Sequence, residues 1–367
     1  MSNWRNRHEP SRGAGCSRSG EDGLPVLSAC DRSIGLARAV TLLVITGALC
    51  LLSPVASAFF EDAFVRLDPA AETAVERAQR WIAAAQRKDG SWKTQHGRNN
   101  TGEIAFAILA LMVNGSVPGE GPYGEHISRG VQFLVNIQRE NGLIIGTGDR
   151  GPMYQHALAT LVLTECLGMT QSPRIRAAVI RAVDLIVDIQ HGGGGWRYQP
   201  RVERGDISVT VMQVMALRAA SEAGIFVPGD TIERAVDFIK ACYHPEQHGF
   251  RYMTGSGDAA FARTAAGLVC LQSVGLYEDP IIPDVVDYLM GTAFADGKSG
   301  HYWYGHYYTS VGLYHYGGDP WKTYYPRIKE KILKDWVKYG HYHQLLETSW
   351  AVLILGVPYR YLPIYQR

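Results

Sequence analysis

Residues 80–92 read RWIAAAQRKDGSW, and the fold is decided by how this stretch is built. Trp81, Ile82 and Gln86 belong to the end of an amphipathic helix, Lys88, Asp89 and Gly90 form a polar turn, and Trp92 follows. The Gln86 amide can bridge backbone groups, and Gly90 can take a positive φ. The Trp92 ring can then fold back over the turn and be buried. The unit recurs. FLVNIQ at 133–138 is followed by Glu140, Asn141 and Gly142, and LIVDIQ at 185–190 is followed by a glycine run and Trp196. Gln86, Gln138 and Gln190 stand 52 residues apart. Weaker copies hold Phe238-Ile239 with Gly249-Phe250 and Tyr288-Leu289 with Gly300 and Tyr302, and a sixth begins near Trp336-Val337.

A second marker keeps nearly the same beat. Apolar helices are predicted to stop at Gly115, Gly168, Gly224, Gly275, Gly317 and Gly356, since glycine suits the left-handed position just past a helix. A fixed period of helix pairs is the mark of a repeat architecture. IAFAILALMV at 104–113 and LATLVLTECL at 158–167 are apolar nearly all round, whereas 74–86 is apolar on one face. A helix that is apolar all round is buried, which predicts inner helices ringed by outer ones. The expected fold is all-α, an α6/α6 toroid of six helix hairpins over residues 70–358, with a short tail at 359–367.

The first 58 residues differ in kind. A polar, arginine-containing stretch precedes the apolar run AVTLLVITGALCLL at 39–52, and Ala56-Ser57-Ala58 forms an A-x-A site. These are the three regions of a secretory signal, so export to a periplasmic or extracellular location is expected, with 59–69 as a short linker. Fourteen apolar residues fall short of the roughly 20 that span a bilayer. The alternative is a membrane anchor through 39–52. Cys166, Cys242 and Cys270 remain beyond the leader and form no disulfide framework. Buried thiols are expected, with one Cys242–Cys270 bridge left open. A formal charge of +1 gives no electrostatic footprint for nucleic acid.

The pattern R-W-I-x3-Q-x3-G-S-W at 80–92 resembles the QW motif of squalene–hopene and oxidosqualene cyclases. The wider set is similar to the prenyltransferase/squalene oxidase repeat, found also in protein prenyltransferase β subunits. The resemblance covers about residues 70–358. It implies an α/α toroid whose central cavity lies at the N-terminal ends of the inner helices. The chemical motifs of those families are missing: D-x-D-D and D-D-x-x-D occur nowhere in the chain. The zinc-binding D-x-C pair has only an echo, Asp206-Ile207-Ser208, with His306 as the later histidine. Zn²⁺ favours Cys and His ligands, so no cofactor is expected, zinc through His306 being the one the resemblance raises.

Several residues are still placed to do chemistry. Asp206 and Asp258 each follow a glycine and precede a predicted inner helix, where a carboxylate either caps the helix or serves as an acid or base at the cavity mouth. Glu347 stands in apolar surroundings and is the third catalytic candidate. Glu103 and His156 also enter inner helices. Residues 300–308 read GHYWYGHYY, an unusual run in which Tyr302, Trp303, Tyr304, Tyr307 and Tyr308 crowd together with His301 and His306. Aromatic faces there either bind a cation, lipid or sugar or form a lid that closes the ring. With Tyr154, Tyr198 and Tyr252, the residues Tyr302, Trp303, Tyr304 and His306 make the expected ligand-binding set. Two functions follow. One is a cavity-based binder of an apolar, isoprenoid-like molecule, or of a protein or glycan partner. The other is a divergent terpene cyclase or prenyltransferase using the acidic residues at the mouth.

Overall fold

A computed structural model describes residues 68–96, 98–147, 151–295, 301–360 and 362. The leader at 1–58 with its apolar run, nearly all of the 59–69 linker and most of the tail lie outside the described residues. Twelve α-helices alternate along the described chain. The outer set is α1 (Pro69–Ala84), α3 (Gly124–Ile137), α5 (Pro173–Asp188), α7 (Gly229–Ala241), α9 (Ile282–Thr292) and α11 (Gly318–Trp336). The inner set is α2 (Thr101–Met112), α4 (Pro152–Thr170), α6 (Ile207–Glu222), α8 (Phe261–Ser273), α10 (Tyr302–Tyr316) and α12 (Leu345–Gly356). The only strands among the described residues are β1 (Tyr243–His244) and β2 (Gly249–Phe250), paired antiparallel as a small hairpin.

The inner helices pack in succession from α2 to α12, and α12 packs on α2, which closes an α/α toroid. Every residue of α2 is buried, as expected where a helix meets inner neighbours on both sides and an outer helix behind. Each outer helix buries one stripe, in α1 Ala71, Ala74, Val75, Ala78 and Ile82. Closure is reinforced by Asp68, which caps α1 through the Ala70 N–H and pairs with Lys329 of α11 at 2.9 Å. The Tyr325 hydroxyl donates to the Leu355 carbonyl at 2.9 Å, tying α11 to α12.

The glutamine turns share one geometry. Gln86 Nε2 donates to the Gly90 carbonyl and to the His126 carbonyl of α3, at 3.1 and 2.9 Å. Gln138 does the same to Gly142 and to Ala178 of α5, and Gln190 to Gly194 and to Thr231 of α7. One amide therefore closes its own turn and staples it to the next outer helix. Gly90, Gly142 and Gly194 all have φ of +88°. Trp92 Nε1 donates to the Ile82 carbonyl at 2.8 Å, and Trp196 Nε1 to that of Ile186 at 2.7 Å, so each ring does fold back over the preceding helix. Cys242 stands 52 residues after Gln190 and cannot make the amide staple. There the turn becomes the β1–β2 hairpin, with His248 at φ +59°.

Two of the expected helix stops are corrected. Gly168 lies inside α4, which runs on to Thr170, and Gln171 takes the left-handed cap at φ +53°. Gly356 is the last residue of α12 and needs to be small for another reason: a Cβ there would lie 2.0 Å from Val113 Cγ2. Cys166, Cys242 and Cys270 are buried free thiols. No described helix is long and apolar enough to cross a membrane.

Glu165 lies in the C-terminal half of α4 and is buried. Burial above all, and then repulsion from Glu222, push its carboxyl up to about 8, opposed by Arg218. Because the folded-state value is raised above the ordinary 4.5, this residue's contribution to stability is complete below about pH 4.5. It is lost as pH rises towards about 8. Glu165→Gln is expected to flatten the pH dependence over that window by an amount on the order of a few kcal/mol, read from urea midpoints at its two ends.

Candidate functional site

The first turns of all six inner helices surround one cavity of about 440 Å³. The wall follows a simple register. Gly102 and Phe106 of α2, Ser208 and Met212 of α6, and Leu346 and Trp350 of α12 are the second and sixth residues after the helix N-caps Asn100, Asp206 and Gln344. Residues four apart lie on one face, so each helix presents both of its residues to the same space, the second the bulkier. Tyr154 and Leu158 of α4 repeat the spacing, and Tyr304 of α10 and Arg263 of α8 complete the ring.

One side of the wall is a tyrosine cluster. The Tyr198 and Tyr252 hydroxyls are 2.6 Å apart, and the Tyr154 and Tyr198 rings have centroids 5.9 Å apart. The guanidinium groups of Arg197 and Arg263 stand about 6 Å from the Tyr252 centroid. Burial holds the hydroxyls of Tyr154 and Tyr304 well above the ordinary tyrosine value, so both stay protonated. Asp206 lies close to this cluster but is not part of the wall. It caps α6 by accepting the Val209 N–H at 3.0 Å. Burial pushes its carboxyl up, with the Val209 hydrogen bond and the Arg197 charge opposing.

The opposite side carries the acid that lines the cavity, Glu103, only 3% exposed. It accepts the backbone N–H groups of Gln95 and His96 at 2.8 Å each, and His96 Nδ1 lies 2.9 Å from its Oε1. A carboxylate bound to one ring nitrogen orients the other outward. His96 and His301 line both this cavity and a neighbouring one of about 640 Å³, which adds Tyr302, Trp303, Lys331 and Glu347.

The sequence candidates therefore separate. Tyr154, Tyr198, Tyr252 and Tyr304 line the central cavity, and Tyr302, Trp303 and Glu347 line its neighbour. Asp258 is exposed and accepts from Gln247 Nε2 at 3.0 Å, away from both walls. His306 is buried against α11, where its Nδ1 lies 2.9 Å from the Tyr324 hydroxyl and Phe261 packs on its ring. Burial pushes its imidazole down to about 3. His156 is buried too, with Nδ1 accepting the Ile144 N–H and Nε2 donating to the Ala182 carbonyl. Among the described residues no three His, Cys, Asp or Glu side chains converge as a metal site. The residues that the sequence reading missed are Phe106, Leu158, Met212, Arg263 and Trp350 on the wall, with Gln155 and His96. The four-residue spacing behind each N-cap is the signal that finds most of them.

Fold and site define the class: an α/α toroid with an aromatic cavity at the N-terminal ends of its inner helices. No family model matches the chain. In sequence it is similar to a terpene synthase, the drimenyl diphosphate synthase of Streptomyces showdoensis, at 28% identity over 175 residues. That stretch is 47% of this chain and 31% of the synthase, so the match spans about a third of the relative's length. Among solved structures it is similar to an inactive variant of an α-1,6-mannanase of Salegentibacter sp. HEL1_6 in complex with α-1,6-mannotriose. The TM-score is 0.56 at 9% identity, covering 78% of this chain and 98% of the mannanase. At that identity the likeness is one of fold.

Proposed function

We propose that the chain is a divergent member of the prenyltransferase/squalene oxidase repeat proteins and holds an isoprenoid-like apolar molecule in its central cavity. The observation that carries this reading is the wall itself. Phe106, Leu158, Met212, Leu346 and Trp350 supply apolar surface, and four tyrosine rings face the same space. Its volume of about 440 Å³ falls within the roughly 300–1,000 Å³ of small-molecule sites, which are mostly apolar with a few placed polar groups. The similarity to a terpene synthase points to the same ligand class. The leader-like residues 39–58 favour action outside the cytoplasm.

A second reading is a divergent cyclase or prenyltransferase, and one observation favours it. Asp206 is a fully buried carboxyl pushed towards its neutral form beside the tyrosine cluster, the condition a general acid needs. Both readings meet in one experiment. Protein purified from its own cell envelope is extracted into organic solvent and analysed by mass spectrometry. Separately, its melting is followed with squalene, prenyl alcohols and prenyl diphosphates, and products are assayed. A co-purifying isoprenoid, or stabilisation of about 2.7 kcal/mol at a hundredfold excess over Kd, supports the binder. Cyclised or transferred product that disappears in Asp206→Asn supports the enzyme. An empty extract with neither stabilisation nor turnover overturns both.

A further inference from the structure

The cavity wall holds more hydrogen-bond donors than the protein uses. Gln155 Nε2, the Tyr304 hydroxyl, Trp350 Nε1 and Arg263 Nε are buried without a protein partner, and all four residues line the cavity. They come from four inner helices, α4, α10, α12 and α8. Gln155 is only 2% exposed, and its orientation is fixed. Its Oε1 accepts the backbone N–H groups of Thr101 and Gly146 at 2.9 and 3.0 Å. Rotating the amide by half a turn would set its NH₂ against two donors, so Nε2 is the end left over.

Most buried donors elsewhere in the described residues are paired, Trp336 Nε1 and the Tyr302 hydroxyl being exceptions. Among the described residues the other four buried glutamines, Gln79, Gln190, Gln213 and Gln272, each donate Nε2 to a backbone carbonyl. The fully buried Trp92 and Trp196 each donate Nε1 to a carbonyl. A buried donor left unpaired costs about 1–3 kcal/mol, so several around one cavity need a reason. Acceptors on the wall do not supply one. Both oxygens of Glu103 are already occupied by Gln95 and His96. Tryptophan and arginine nitrogens can only donate. The hydroxyls on the wall can accept as well as donate, whereas Gln155 Nε2, Trp350 Nε1 and Arg263 Nε can do nothing but donate.

We infer that the ligand carries, on its apolar body, an oxygen that accepts hydrogen bonds, as a carbonyl or an ionised phosphate ester does. This inference rests on the isoprenoid reading above and narrows it: a plain hydrocarbon leaves the four donors unpaired, and an oxygenated isoprenoid pairs them.

The test uses the full chain and matched sesquiterpene probes that differ only at one end: hydrocarbon, aldehyde and monophosphate. Titration is followed by calorimetry. The aldehyde, the monophosphate or both are expected to bind at least about tenfold more tightly than the hydrocarbon, the equivalent of about 1.4 kcal/mol. The tighter of the two identifies the oxygen. Tyr304→Phe and Trp350→Phe each keep a ring and remove a donor, so each is expected to lower affinity for the oxygenated probe by more than it lowers affinity for the hydrocarbon, which shrinks that preference. Gln155→Met is expected to do the same. It also strips Thr101 and Gly146 of their acceptor, so if it fails to fold, the two ring variants decide. Equal affinity for all three probes overturns this inference and leaves the isoprenoid reading standing. A preference untouched by every donor variant overturns it too. Absence of binding by any probe overturns both.

Discussion

Gly194→Ala is expected to lower the stability of the toroid by about 3 kcal/mol or more. Gly194 has φ of +88°, a conformation that L-residues with a Cβ rarely adopt. The added carbon would also lie 1.9 Å from the Arg234 carbonyl oxygen of α7. That oxygen belongs to a helix backbone, so relief requires α7 to move as a unit and break the Gln190 bridge to Thr231 at 2.8 Å. Gly168→Ala is the control. Gly168 sits inside α4 with nothing within 4 Å of its added Cβ, and this change is expected to be neutral or to stabilise by about 0.5–1 kcal/mol. Urea midpoints of the two variants, measured together, separate the effect of the turn from that of glycine replacement in general. A Gly194→Ala midpoint equal to that of the native protein would contradict the turn geometry.

Trp196→Ala is expected to cost about 3–5 kcal/mol, the range for deleting a large buried ring. The ring is 1% exposed, and its Nε1 bonds the Ile186 carbonyl at the end of α5. The backbone here is held as tightly: the Trp196 N–H donates to Thr210 Oγ1, and its carbonyl accepts the Asp206 N–H at 2.9 Å. Arg197 and Tyr198 follow directly, so loosening this turn also loosens the tyrosine wall of the cavity. Trp196→Phe keeps most of the apolar surface and loses one hydrogen bond, with an expected cost of about 1–2 kcal/mol. Affinity for an isoprenoid probe should fall for Trp196→Ala and be nearly kept for Trp196→Phe. Equal losses in both variants would place the importance of Trp196 in its hydrogen bond rather than its bulk.

The contrast between His301 and His306 shows where reading residues in order stops working. Five positions apart on a helix is nearly one and a half turns, so the two point to different sides. His301, at the N-cap of α10, reaches the cavities. His306 turns to α11 and is sealed by Phe261, Phe294 and Tyr324. The Asp206 and Asp258 motifs look alike in sequence, yet only Asp206 caps its helix. The chain after Asp258 continues to Ala260 before α8 begins, which leaves Asp258 in solvent. Tyr154, Tyr198, Tyr252 and Tyr304 are legible as cavity-facing because each stands at the entry to an inner helix or in the turn before it.

What the sequence determined by itself is the set of local events. The Gln86 amide meets a carbonyl four residues on, and Trp92 meets one ten residues back. Such contacts are fixed by turn chemistry and recur wherever the pattern recurs, so alternating helices, buried inner segments and a toroid follow from spacing and apolarity. What only the tertiary structure decided is which inner-helix face looks inward. An inner helix that is buried on every side has no polar face to betray its rotation, and that rotation is set by neighbours far away in sequence, as when α12 meets α2. The cavity wall, the isolation of His306 and the unpaired Gln155 Nε2 are all consequences of that rotation.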